Sequence, residues 1–66
     1  MDIVINGRLH QPTDGLSLAE AVALLTDART GVAAALNGDV VRRVAWETTP
    51  LSDGDEVEVV TAVQGG

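Results

Sequence analysis

The chain has 66 residues and a formal charge of −6, from ten Asp and Glu against four Arg, and it has no Cys, Lys, Tyr or Phe. That inventory excludes disulfide staples, thiolate metal clusters, thiol nucleophiles and the lysine of a phosphate-cradling loop. A pI near 4.2 leaves no basic surface for nucleic acid or anionic membranes; it suits a basic protein partner, although from charge alone simple solubility is the commoner reading. Yet 45% of residues are apolar. A chain near the lower size limit for an unstapled domain is therefore expected to fold as one globule around Val, Leu, Ala and Ile.

In chain order, Met1, Ile3 and Ile5 alternate with Asp2 and Val4, which predicts a half-buried strand. Asn6-Gly7 is a two-residue hairpin signal, because both turn positions need positive φ. Arg8-Leu9-His10-Gln11 is the expected return strand, closed by Pro12, which has no amide to donate and suits an edge. Asp14-Gly15 reads as a turn. Ser17-Leu18-Ala19-Glu20 has the spacing of a capping box, with Leu16 at the staple position before it. Leu18, Ala21, Val22, Leu25 and Ala28 then share one helical face, which predicts a helix over 18–28, with Arg29 favourable at its negative end and Gly31 as its stop.

Val32-Ala33-Ala34-Ala35-Leu36 is alanine-rich and so has helical propensity, but the turn pair Asn37-Gly38 directly after it favours a third strand, returning through Val40-Val41-Arg42. Val44-Ala45-Trp46 fits a short helical turn, and Thr48-Thr49-Pro50 a loop. Asp53-Gly54-Asp55 is a turn. The segment from Glu56 to Val63 is the clearest strand, with Val57, Val59 and Val63 on one side and Glu56, Glu58, Val60 and Ala62 on the other. The order ββαββ plus a last strand predicts an α+β roll of the β-grasp type, a mixed sheet of four to five strands under one main helix. The expected organisation is a single domain over 1–63 with a flexible tail over 64–66. The opening Met1-Asp2 carries no basic stretch, and no apolar run approaches a membrane span, so the expected compartment is the cytoplasm.

Enzyme templates find no support. The one histidine, His10, lies in a predicted edge strand and reads as a surface residue. One His with scattered carboxylates lacks metal-ligand spacing. Asp53, Asp55, Glu56 and Glu58 lack the spacing of a calcium loop and read as a turn and a solvated strand face. The end of the chain remains: Val63-Gln64-Gly65-Gly66 follows the strongest strand. Without Cβ atoms, Gly65 and Gly66 can thread a narrow channel. At roughly 3.3 Å per residue the four residues after Ala62 reach about 13 Å beyond the sheet. Terminal Gly-Gly alone also fits a frayed end.

Leu36-Asn37-Gly38, Val41, Arg43, Trp46, Leu51, Asp53-Gly54-Asp55 and Gly65-Gly66, with the opening strand into Asn6-Gly7, carry a resemblance over essentially the whole chain. It resembles the ubiquitin-like β-grasp proteins and, more closely, the bacterial sulfur carriers of thiamine (thiazole) biosynthesis. Gln64 before the diglycine and the alanine-rich third strand depart from the pattern without touching its chemistry. The resemblance implies that an E1-like adenylyltransferase activates the Gly66 carboxylate with ATP. Persulfide sulfur, supplied by a cysteine desulfurase, then converts it to a thiocarboxylate, which serves thiazole synthase. The chain is then a co-substrate and not an enzyme, binding no cofactor itself.

Under that reading Gly66 carries the sulfur, while Gly65, Gln64 and Val63 thread into the partner's active site. Glu58, Val60 and Ala62 form a docking face, against the alternative of an ordinary half-exposed strand. Trp46 is either a partner anchor or, more commonly for a lone Trp in so small a domain, a plug of the core. Other readings of the chain are a sulfur carrier for another route, such as the small subunit of molybdopterin synthase, a protein modifier forming isopeptide bonds through Gly66, and a non-covalent interaction domain with an inert tail.

Overall fold

Both Asn-Gly pairs turn the chain back on itself as their flanking alternation requires. In the computed structural model, which describes residues 1–13, 15–28 and 30–61, β1 (Ile3–Ile5) pairs antiparallel with β2 (Arg8–His10), and β3 (Val32–Leu36) with β4 (Asp39–Val41). Asn6 and Asn37 adopt φ of 51° and 50°, and Gly7 and Gly38 follow at 80° and 89°, the paired positive φ of a tight hairpin turn. The last strand, β5 (Glu56–Thr61), enters between the two hairpins, parallel to β1 and antiparallel to β3, giving the order β2-β1-β5-β3-β4. This five-stranded mixed sheet under a helix is the expected β-grasp roll.

The helix α1 (Leu18–Ala23) starts as the capping box requires. Ser17 Oγ accepts the Glu20 amide at 3.1 Å, and Glu20 Oε1 accepts the Ser17 amide at 3.0 Å. It ends earlier than the periodicity suggests. Leu24 and Leu25 donate to carbonyls only three residues back, and Thr26 Oγ1 then accepts the Ala28 amide at 3.0 Å. A hydroxyl that offers the backbone a local partner competes with another helical turn. Leu25 and Ala28, expected on the buried face, are therefore exposed.

The core joins the helix to one face of the sheet. Ile3, Ile5, Val57 and Leu18 are its largest fully buried side chains, around Ala21, Val22, Ala34, Trp46, Leu51 and Val59. Burying each large aliphatic contributes about 1.5–3 kcal/mol. The segment Arg43–Thr48 is a 3-10 helix that places Trp46 in the core at 5% exposure. Its indole N–H donates to the Val41 carbonyl at 2.8 Å, and the Arg43 guanidinium lies 5.3 Å from the ring centroid. Trp46 is thus a core plug. Backbone bonds from Leu18 to Thr49 (2.8 Å) and from Leu51 to Leu16 (2.9 Å) tie the helix entrance to the following loop.

Some boundaries and surroundings differ from expectation. β2 ends at His10, before Gln11, and β4 runs Asp39–Val41 instead of starting at Val40 and including Arg42, because a two-residue turn places Leu36 opposite Asp39. His10 is half-buried opposite Ile3 and not simply a surface group. Asp55 is half-buried too: its carboxylate accepts the Ser52 amide at 2.8 Å and the Asn37 side-chain amide at 3.1 Å, so it organises the turn into β5. The Asp14 turn position, the Arg29 charge and the domain boundary after Val63 lie outside the described residues.

Candidate functional site

The strand that leads to the chain's end occupies the middle of the sheet. β5 has β1 on one side and β3 on the other, so the segment that follows Thr61 is anchored in the most supported strand of the fold. Ala62, Val63, Gln64, Gly65 and Gly66 lie outside the described residues. By chain length alone, the five residues beyond Thr61 span at most about 17 Å at roughly 3.3 Å each.

Alternation along β5 sends Val57 and Val59 inward, at 1% and 8% exposure, and Val60 outward at 63%. Glu56 and Glu58 are exposed beside it. The predicted docking residues Glu58 and Val60 thus share the sheet face that α1 leaves open. Register brings more residues to them. Ala33 pairs with Val60, Ala35 with Glu58, and Val40 with Ala35. Because alanine fills little space, Ala33, Ala35, Val40, Glu58 and Val60 border a shallow concavity of about 200 Å³. Val40 is 80% exposed at its edge.

This makes a small apolar trough with a carboxylate at its rim, an arrangement suited to a partner's apolar side chain flanked by basic groups. Val40 and the two alanines were not singled out from sequence, although a signal was present. A two-residue turn at Asn37-Gly38 forces position 36 opposite 39 and 35 opposite 40, which puts Val40 beside Ala35, the residue that pairs with Glu58 from the other side. The same arithmetic at Asn6-Gly7 puts Leu9, 61% exposed, on the outer face opposite Val4.

A larger concavity, of about 500 Å³, lies on the helix side between α1 and the 3-10 helix, bordered by Val22, Thr26, Arg43, Trp46 and Glu47. It is separate from the outer face. Among the described residues no cluster of His, Asp and Glu is placed to hold a metal ion, and no helix is long and apolar enough to cross a membrane.

Known proteins are similar to this chain along all or most of their length. The pattern of the ThiS family matches residues 3–66. The "Sulfur carrier protein ThiS" of Escherichia coli is 29% identical over 66 residues, covering 100% of both chains. Its namesake from Thermus thermophilus is 38% identical over 62 residues, covering 94% of this chain and 95% of the relative. The crystal structure of the thiamine biosynthesis protein ThiS from Geobacter metallireducens superposes with a TM-score of 0.79 at 32% identity, covering 100% of both chains. An NMR solution structure of a thiamine biosynthesis protein from the same organism gives 0.81 at 32% identity, covering 100% of this chain and 88% of that one. The sequence resemblance and the β-grasp expectation are both borne out, and the chain belongs to the ThiS family.

Proposed function

We propose that the chain is a sulfur carrier of thiamine biosynthesis whose working group is the α-carboxylate of Gly66. The observation that carries this reading is the family match through residue 66, whose span includes the terminal diglycine. As a carrier it is a co-substrate, not a catalyst, and it acts with the enzymes of sulfur transfer. A carboxylate is a poor electrophile and needs activation. An oxygen of the Gly66 carboxylate attacks the α-phosphorus of ATP on an E1-like adenylyltransferase, and pyrophosphate leaves. The terminal sulfur of a protein persulfide, charged by a cysteine desulfurase, attacks the acyl carbon, and AMP leaves. A thiol then attacks the cysteine sulfur of the acyl disulfide, the one not bonded to the acyl carbon, and forms a disulfide with that cysteine. The carrier departs as a thiocarboxylate while the thiol is oxidised to a disulfide. Thiazole synthase takes up the carried sulfur.

ATP belongs to the adenylyltransferase, and the carrier binds no cofactor. The body supplies placement. Glu58 and Val60, with Ala62 continuing their alternation, form the docking face, and the trough at Ala33 and Ala35 receives an apolar side chain of the partner. Gly65, Gln64 and Val63 span from the docked body to the reacting carbon. The acidic charge of −6 favours encounter with a basic partner surface. We place the chain in the cytoplasm, where these enzymes meet it.

The test is intact-mass analysis after incubation with the cognate adenylyltransferase, ATP and a persulfide source. The expected product has one C-terminal oxygen exchanged for sulfur, and a chain lacking Gly66 gains none. An unchanged mass in the full chain would overturn the reading. Growth rescue of a thiamine auxotroph, and not of a molybdenum-cofactor mutant, separates the thiazole route from the alternative pathway.

A further inference from the structure

We propose that Asn6 is a positioning residue for the sulfur-carrying terminus: its side-chain amide replaces a missing rung of the β1–β5 ladder and so fixes the direction in which β5 leaves the sheet. The aiming role rests on the function proposed above; the clamp itself rests on geometry alone.

The parallel ladder can be followed rung by rung. Val4 N–H donates to the Asp55 carbonyl at 3.0 Å and Asn6 N–H to the Val57 carbonyl at 2.9 Å, a step of two residues on each strand. The next rung belongs at Val59. It requires a carbonyl from residue 6 and an N–H from residue 8. Neither is in place, because β1 ends at Ile5 and Asn6, at φ 51°, turns the chain into β2. The Asn6 side chain supplies both groups. Its Oδ1 accepts the Val59 N–H at 2.7 Å, and its Nδ2 donates to the Val59 carbonyl at 3.1 Å. A carboxamide offers the same acceptor and donor as a peptide unit, so the side chain acts as one further residue of β1.

The register of β1 with β5 stops at Ile5 opposite Val57, whereas β3 supports β5 as far as Thr61. The clamp is thus what braces the exit half of β5 on its β1 side, two residues before Thr61. The other hairpin provides a control. Asn37, at φ 50°, makes comparable bonds at the opposite end of the strand: its Oδ1 accepts the Glu56 N–H at 2.9 Å, and its own N–H donates to the Glu56 carbonyl at 2.7 Å. Losing its amide loosens where β5 begins, and one backbone bond remains there.

The experiment compares N6G with N37G in the full chain. Glycine keeps the positive φ at both turns, so each variant deletes an amide and spares the turn. Without any enzyme, amide exchange followed by NMR is expected to rise roughly tenfold at Val59 in N6G, beyond the change in its global stability, and to keep pace with global stability there in N37G. With the cognate adenylyltransferase, misdirection of a docked carboxylate lowers kcat for pyrophosphate release roughly tenfold in N6G while KM stays within about twofold, and N37G keeps its kcat within about twofold. N6D, which retains the acceptor and loses the donor, is expected to fall between N6G and the unmodified chain.

Val59 exchange that only tracks global stability in N6G would overturn the clamp. Deprotection of Val59 with unchanged kcat, or an equal fall of kcat in N37G, would overturn the aiming role. An unmodified chain that the enzyme does not adenylate would instead overturn the functional reading.

Discussion

The two hairpins share a turn dipeptide and a turn geometry, yet they do different work. In the first, β1 supplies Ile3 and Ile5 at 0% and 1% exposure to the inner face, while in the second β3 supplies Ala34 at 2% with only half-buried Val32 and Leu36 around it. On the outer face the balance reverses: β3 and β4 form the alanine trough with Val40, beside Glu58 and Val60. One hairpin therefore makes the core and the other makes the candidate docking surface. The central strand between them packs its inward valines beside the isoleucines of the first and takes most of its pairing, over five residues against two, from the second. The same Asn-Gly signal serves both because a turn sets strand pairing and leaves open what the paired side chains meet.

Substitutions can break or sharpen this contrast. The largest effect is expected in the core-forming hairpin. Ile5→Ala should cost about 2–5 kcal/mol, and Leu36→Ala about half of that, read from urea denaturation midpoints. For a chain of this size with roughly 3–10 kcal/mol of total stability, the first leaves little folded margin. Equal losses would erase the distinction. On the docking side, Val60→Glu should weaken adenylyltransferase binding tenfold or more, about 1.4 kcal/mol, while changing stability by less than about 0.5 kcal/mol. Leu9→Glu, on the same face at the far edge, serves as the comparison and should leave binding nearly unchanged in titration calorimetry.

The turns should behave alike. Gly7→Ala and Gly38→Ala each place a side chain at φ of 80° or 89° with nothing within 4 Å of the new Cβ. The cost is therefore conformational, about 1–2 kcal/mol in either hairpin, and a large difference between the two would show that one turn carries strain the other lacks. Smallest is Ser17→Ala, which removes a cap outside both hairpins and should cost about 1 kcal/mol, seen as a modest fall in melting temperature.

Much of this was legible in the sequence where a local rule sufficed. The Asn-Gly pairs specified both turns, Ser17 with Glu20 specified the helix start, and the alternation from Glu56 to Val60 specified which valines face inward. The helix end was not legible. Leu25 and Ala28 continue the 3.6-residue period, and the competing hydroxyl of Thr26 outweighs it. The acidic run was only partly legible, because Asp55 acquires its partners from Asn37 and Ser52, one of them 18 residues away. The trough was missed because it depends on register across three strands.

The sequence by itself determined the turns, the cap, the inward residues of β1 and of the described part of β5, and the diglycine at the end of the chain. Each depends on backbone preferences or period within a few neighbouring residues. Only the tertiary structure decided that β5 lies between the hairpins, that Ala33, Ala35 and Val40 open a trough beside Glu58 and Val60, and that Asn6 completes the ladder at Val59. Those contacts join residues up to 53 positions apart, and strand order together with register, set by the packing of the whole sheet on the helix, brings them within bonding distance.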